Sequence, residues 1–323
     1  MSTLHQNTNL TWAEVNKREG YDDAAAVIGE LLQMNEFLDE VPWRPATHGT
    51  YNKQLQAKAL GVGAFSKANT GLTFMASQSD ELTEPVKLYE GESAVDDRLL
   101  KGATDAYKVR DSEDAMNLEG AIQDWLSNVV YGNEADIPEG FKSLDRRRPS
   151  IVANRCWDGA GSGSDLTSLL LFEFSPRGLW LAYPQGANAG LVSDDRGRNL
   201  VDVPSPGTGQ MWAWVRHYEI WAAIVLRDDR AYQRYANIET AGSSNLFSPN
   251  IFIQMKNQLP QMGQMAVGFA NRTLKSQIDN DAYDKANIAF SLREITGYGP
   301  ITSVAGVPIR TLEALIDTES ELT

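Results

Sequence analysis

The residues best equipped for chemistry are few in this chain. Three histidines, His5, His48 and His217, and one cysteine, Cys156, are the obvious candidates for metal binding or nucleophilic catalysis. The histidines share no metal-ligand spacing and Cys156 has no CxxC partner, so no metal site is expected. A Cys156–His217 pair could supply a thiolate nucleophile. The apolar context of Cys156 beside Trp157 favours an inert buried thiol instead. A single cysteine also excludes an intramolecular disulfide and suits a reducing compartment.

Gly159-Ala160-Gly161-Ser162-Gly163 invites a phosphate-loop reading. It lacks the lysine of a nucleotide-binding loop, and a strand-like run follows it rather than a helix N-terminus, so a flexible turn is expected and no cofactor is assigned. Glu173, Asp194, Asp195 and Asp202 lie among aromatics, which allows a glycosidase carboxylate pair. Adjacent aspartates beside Arg196 and Gly197 read more simply as a solvated turn. Arg146-Arg147-Arg148, between Asp145 and Pro149, reads as a solvated loop with a phosphate contact as the other option. No catalytic residue is assigned, and the chain is not expected to be an enzyme.

The elements that would position these residues follow from composition and periodicity. The chain has 323 residues, 42% hydrophobic and 22% charged, with a formal net charge of −14. Ordinary globular composition argues against disorder, and the negative charge argues against a dedicated nucleic-acid-binding role. The first residues lack the basic and apolar regions of a secretion signal. Apolar runs such as Trp221 to Leu226 fall far short of the roughly 20 residues of a membrane span. A soluble chain is expected.

Residues 1–20 read as a polar arm, and Asp22 to Leu38 as a helix ended by Pro42. Residues 46–90 form a long polar excursion, with strands expected at Tyr51 to Leu60 and Leu72 to Gln78. Such a stretch has little core of its own, which suggests completion by a partner. Ser112 is expected to cap a helix whose Leu118, Ile122, Trp125, Leu126, Val129 and Val130 share one face, with Gly132 at its end. An earlier helical piece over Val95 to Val109 could join it. Strands are expected at Leu166 to Phe174, Gly178 to Tyr183 and Met211 to Leu226, with a turn at Ser205-Pro206-Gly207. In the last of these strands Trp212, Trp214, Tyr218 and Ile220 share a parity. Helices at Ile251 to Met262 and Asp279 to Ala286, a strand at Met265 to Ala270, and a hairpin around Ala305-Gly306 complete the pattern. Without a regular βαβ rhythm, α+β is favoured.

Read in order, several segments resemble the major capsid proteins of short-tailed, podovirus-type bacteriophages. They are Asp165-Leu166-Thr167-Ser168-Leu169, LWLAYPQGANAG from Leu179 to Gly190, VLRDDR from Val225 to Arg230, and RYANI from Arg234 to Ile238. Glu92 to Leu99 running into Tyr131-Gly132-Asn133, Phe269-Ala270-Asn271-Arg272 to Asn287, Gly306 to Arg310 and Asp317-Thr318-Glu319 agree as well. The resemblance covers about residues 20–320. Val307 stands where the family prefers isoleucine, and Asp229 where an aromatic often follows the aspartate.

The resemblance implies the α+β tailed-phage capsid fold, shared with encapsulins and the herpesvirus capsid floor. The implied parts are an N-terminal arm (1–42), an extended E-loop (43–92) and a P-domain with a spine helix (93–155). A mainly A-domain segment (156–286) and a return to the P-domain with a C-terminal hairpin (287–323) follow. It implies a virion protein, assembled in the host cytoplasm, that associates with itself as hexamers and pentamers in an icosahedral shell around double-stranded DNA held only non-specifically. A portal, a separate scaffolding protein and a decoration protein are the implied further partners, and the arm is expected to stay uncleaved. The interface is expected at Trp12, Leu31, Phe37, Trp43, Tyr51, Leu60, Phe65, Leu72 and Phe74, apolar groups on segments with little local core. Their packing within one subunit is the alternative. An encapsulin-like compartment and a β-rich carbohydrate-binding or carbohydrate-active protein are the alternative functions.

Overall fold

The computed structural model describes residues 35–203, 209–283, 290–295 and 299–323. Expectations for Trp12, Leu31, most of the Asp22 to Leu38 helix and the Ser205-Pro206-Gly207 turn lie outside these residues. The described chain starts with a short helix α1 (Phe37–Glu40), and strand β1 (Trp43–Pro45) follows Pro42.

Strands β2 (Tyr51–Ala59) and β3 (Gln78–Pro85) then pair with each other alone. The excursion is two-stranded as expected, but its return strand starts at Gln78, so Leu72 to Ala76 is not strand. Next come β4 (Lys87–Asp96) and two helices, α2 (Asp97–Gly102) and α3 (Ala106–Tyr131). Val95 thus ends a strand rather than opening a helix. Asp105, not Ser112, caps α3, because its carboxylate is placed to accept from the Tyr107 and Lys108 amides. Ser112 is buried in the helix and donates to the Val109 carbonyl. The Gly132 amide closes the far end on the Asn128 carbonyl.

Helix α3 lies over a five-stranded sheet of β1, β7 (Leu179–Tyr183), β9 (Gln210–Leu226) and β4, with β8 (Leu191–Asp202) also paired to β9. Its apolar face buries Trp125, Leu126, Val129 and Val130, as the helical period requires. Polar ties fix it from the sheet side. Tyr89 donates to Asp124 at 2.9 Å, Asn117 to Ser93 at 3.0 Å, and Tyr218 to the Asp114 carbonyl at 3.0 Å. Asp194 and Asp195 are not in a turn: they sit within β8, opposite His217 and Arg216, with a bulge before Gly197 at φ 71°. The shared parity on β9 is real, yet Trp212 at its outer end is exposed and covered only by the Arg198 guanidinium.

A second sheet has seven strands in the order β12 (Phe290–Ile295), β13 (Gly299–Val304), β14 (Val307–Thr311), β11 (Ala266–Ala270), β6 (Leu166–Glu173), β10 (Tyr232–Glu239), β5 (Cys156–Asp158). β6 is buried along its whole length, which is why it reads as an apolar run. Leu170 and Phe172 face one core with Phe37, Tyr232 and Phe269, and Leu169 and Leu171 face another with Phe252, Met255, Leu274 and Ile278. After a short helix α4 (Leu144–Arg147), α5 (Pro249–Gln258) and α6 (Arg272–Tyr283) cover the second core. α6 thus begins earlier than the sequence suggested. Between β13 and β14, Ala305 and Gly306 both take positive φ, 50° and 82°, so the expected two-residue hairpin is present.

The C-terminal segment is locked by charge. Arg234 reaches Asp145 at 2.5 Å and Glu319 at 3.1 Å, and Glu319 also accepts from Ser168 and Tyr131. Four buried or half-buried polar groups thus hold the chain end against α3 and β6.

Candidate functional site

His5 lies outside the described residues, and among those described the potential chemistry does not converge. Cys156 is buried in β5 and burial pushes its thiol up to about 11, so it is the inert thiol expected. His217 belongs to the other sheet. Glu173 is buried in β6 and bonded to Ser175 and the Gln261 amide, away from the β8 aspartates. The glycine run is structural: Gly159 and Gly161 donate their amides to the Ala236 and Asn237 carbonyls of β10. A side chain at either would meet the Asn237 carbonyl oxygen at 2.4 or 2.6 Å, so only glycine permits this approach.

The arginine cluster differs from its expectation. Arg146 is exposed, but Arg147 and Arg148 are drawn into the fold. Arg147 makes a bidentate pair with Glu84 at 2.9 and 3.1 Å and also donates to the Ile224 carbonyl. Arg148 bonds Asp229 at 2.9 Å and lies over the Tyr232 ring. Burial works against ionisation of Asp229, yet Arg148 and Arg155 hold its carboxyl below the usual range. Under α3, Arg110 bonds Asp195 at 2.6 Å and holds its carboxyl low, while burial pushes the Asp114 carboxyl up against Arg216 and Arg110.

What stands out is the β2–β3 hairpin and the segment beyond it. Its root is tied to the body: Glu84 through Arg147, and Gln54 and Gln56 through the Leu226 and Arg227 carbonyls. Residues 60–77 extend past the paired strands, turning at Lys67–Thr70 with Asn69 at φ 65°. In that segment Leu60, Phe65, Leu72 and Phe74 are each at least 78% exposed. Val62 and Met75 join them on the tip and Leu55 on β2, all exposed and not singled out from sequence. Their signal was the same one, apolar residues in a stretch with no core.

The other predicted residues fall elsewhere. Tyr51 is borderline exposed and stacks on His48 at 4.6 Å. Trp43 is half-buried against the main core. Phe37 corrects its prediction: it is 1% exposed, with ring partners Phe269 at 5.4 Å and Phe172 at 5.9 Å, so it belongs to the subunit's own core. The sequence placed it on an arm, whereas α1 folds its aromatic inward.

A family model described as Major capsid protein GP7 matches residues 20–323. A chain of the near-atomic-resolution structure of bacteriophage epsilon15 is similar over 100% of both chains, with a TM-score of 0.73 at 20% identity. The capsid of bacteriophage JBD30 covers 94% of this chain and 99% of its own, with TM-score 0.49 and 11% identity. The SrpI encapsulin of Synechococcus elongatus covers 74% of this chain and 99% of its own, with TM-score 0.45 and 9% identity. No curated protein matches. A two-stranded loop whose apolar tip lies bare, on a fold like that of a phage capsid and with a family match over nearly the whole chain, leaves one assignment: the chain belongs to the major capsid protein GP7 family and is a structural shell protein of a bacteriophage capsid.

Proposed function

We propose that this subunit closes into hexamers and pentamers of an icosahedral head around double-stranded DNA, with the E-loop (43–92) as its principal link to neighbours. The observation that carries this reading is the exposed apolar tip. Contiguous exposed apolar groups mark interaction sites, and here they sit on a hairpin whose root is fixed while its tip is left exposed by the described residues. Tyr51, Leu60, Phe65, Leu72 and Phe74 are the proposed contact residues, with Trp43 at the root and Trp12 and Leu31 on the arm (1–42).

The proposed P-domain is 93–155 with α3 as its spine helix, the proposed A-domain is mainly 156–286, and 287–323 is the proposed return to the P-domain with the C-terminal hairpin. The net charge of −14 suits a lumen along which DNA must slide, so the genome is held without specific contacts. A portal, a separate scaffolding protein and a decoration protein are the proposed further partners, with assembly in the host cytoplasm.

The test is Phe65→Asp combined with Phe74→Asp. The subunit should stay folded, with an unchanged thermal melt, and should form no particles by light scattering and electron microscopy. Normal particles from this variant would reject the E-loop reading.

A further inference from the structure

Two patches of opposite sign are left unbalanced on the described surface. The first is a cleft of about 420 Å³ between β2 and the residues Arg177, Arg227, Asp228, Asp229 and Arg230. Both of its carboxylates are already taken. Asp228 pairs with Arg230 at 2.8 Å, and Asp229 with Arg148 at 2.9 Å and Arg155 at 2.8 Å. Arg177 and Arg227 are exposed and have no ion partner among the described residues, and the Arg227 guanidinium reaches only the Pro176 carbonyl, at 3.5 Å. The Arg227 amide bonds the Gly178 carbonyl, which places the two arginines on adjoining turns. The cleft is therefore cationic in a chain whose total charge is −14.

The second patch is the face of β4, β9 and β8 turned away from α3. Tyr218 and Arg216 face the helix, so the alternate residues His217 and Glu219 face outward. Across the strands Glu90 stands opposite Glu219, and Glu92 and Asp194 flank His217 on either side. His217 is only 8% exposed, its Nδ1 has no hydrogen bond, and Glu92, Glu219 and Glu90 oxygens lie 3.4, 3.8 and 3.9 Å from its ring nitrogens. Arg196, bridging Glu92, is the one guanidinium paired to these carboxylates, and Asp194 has no ion partner among the described residues. Like charges directly opposite in a sheet are destabilising. Four carboxylates against one guanidinium leave the face negative whichever state His217 takes.

We propose that the two patches meet between copies of this chain: the Arg177–Arg227 cleft of one subunit receives the Glu90 and Glu219 carboxylates of the next. This rests on the shell reading and adds to it a second contact, separate from the apolar tip. A patch and its complement at different places on one chain make a heterologous contact, the kind that closes into rings. Each side then acquires the counter-charge that its own subunit does not supply, which favours the correct register over others.

The test uses two full-length variants, Arg177→Glu with Arg227→Glu, and Glu90→Lys with Glu219→Lys. All four positions are at least partly exposed, so both variants should melt like the parent. Alone, each confronts like charges and should lose particle yield about tenfold or more. An equimolar mixture lets the reversed cleft of one meet the reversed face of the other in alternating order, complete in a six-membered ring and with one mismatch in a five-membered one, and should recover assembly in part. A chain carrying all four substitutions should recover it too. Normal yield from either variant alone, or no recovery in both the mixture and the fourfold variant, overturns the contact. If the charge variants assemble normally while the Phe65 and Phe74 variant does not, the shell reading stands and only this contact falls.

Discussion

Two groups of aromatic and aliphatic side chains in this molecule meet opposite fates. Around β6, Phe37, Phe172, Phe269 and Tyr232 are packed ring against ring at 5.1 to 5.9 Å and are at most 1% exposed. On the hairpin tip, Leu60, Phe65, Leu72 and Phe74 are as apolar and almost wholly exposed. Residue type does not separate them. What separates them is whether the subunit supplies a second surface: two sheets and α3 enclose the first group, while the tip projects beyond its strands and no described residue covers it. The burial that stabilises the first group is realised on folding, and for the second the proposed interface defers it to assembly.

The largest expected effect tests the enclosed side. Phe172→Ala should cost the subunit about 4 kcal/mol in denaturant unfolding, because it removes a large ring and leaves a cavity among its neighbours. A loss under about 1 kcal/mol would mean that this core is looser than its ring contacts indicate. Next comes the joint between the two regions. Arg147→Ala strands Glu84 at the hairpin root and should cost about 3 kcal/mol. Limited proteolysis within residues 51–85 should quicken in the same variant, and unchanged cleavage would show that the root does not depend on this pair.

On the exposed side, Leu60→Ala with Leu72→Ala should leave subunit stability within about 0.5 kcal/mol, yet lower particle yield. A large stability loss would place these residues in the subunit's own core. The smallest effect is electrostatic. The Arg110 hydrogen bond holds the Asp195 carboxyl below its ordinary value, so its contribution is present at neutral pH and fades as pH falls through the depressed value. Asp195→Asn should therefore lower stability slightly at neutral pH, change little at the acid end and so flatten the acid limb of a stability–pH curve, and an unaltered acid limb would contradict this.

Much of this contrast was legible in the sequence. The period of Trp125, Leu126, Val129 and Val130 located α3, the continuous run Leu166 to Phe174 located a strand buried on both faces, and the polar stretch 46–90 located the excursion. Pairing partners were harder. Leu72 to Gln78 alternates like a strand, but the ladder that β2 completes lies further on, at Gln78–Pro85. Charged residues misled for one reason: Arg147 and Arg148 read as solvated because their partners, Glu84 and Asp229, are remote in sequence. Phe37 misled in the opposite sense, since its neighbours on the arm give no hint of the aromatic cluster that β6 and β11 bring to it. The proposed interface residues were read from a deficit, apolar groups with no local core, and their exposure in the structure is the same deficit seen directly.

Hydrogen exchange over residues 60–77, compared between free subunits and assembled particles, tests deferred burial most directly. In the free subunit this segment is hydrogen-bonded among the described residues only at the Lys67–Thr70 turn, so its amides should exchange rapidly. In particles the same amides should become strongly protected while those of β6 stay protected in both states. Equally rapid exchange of 60–77 in both states would contradict the account.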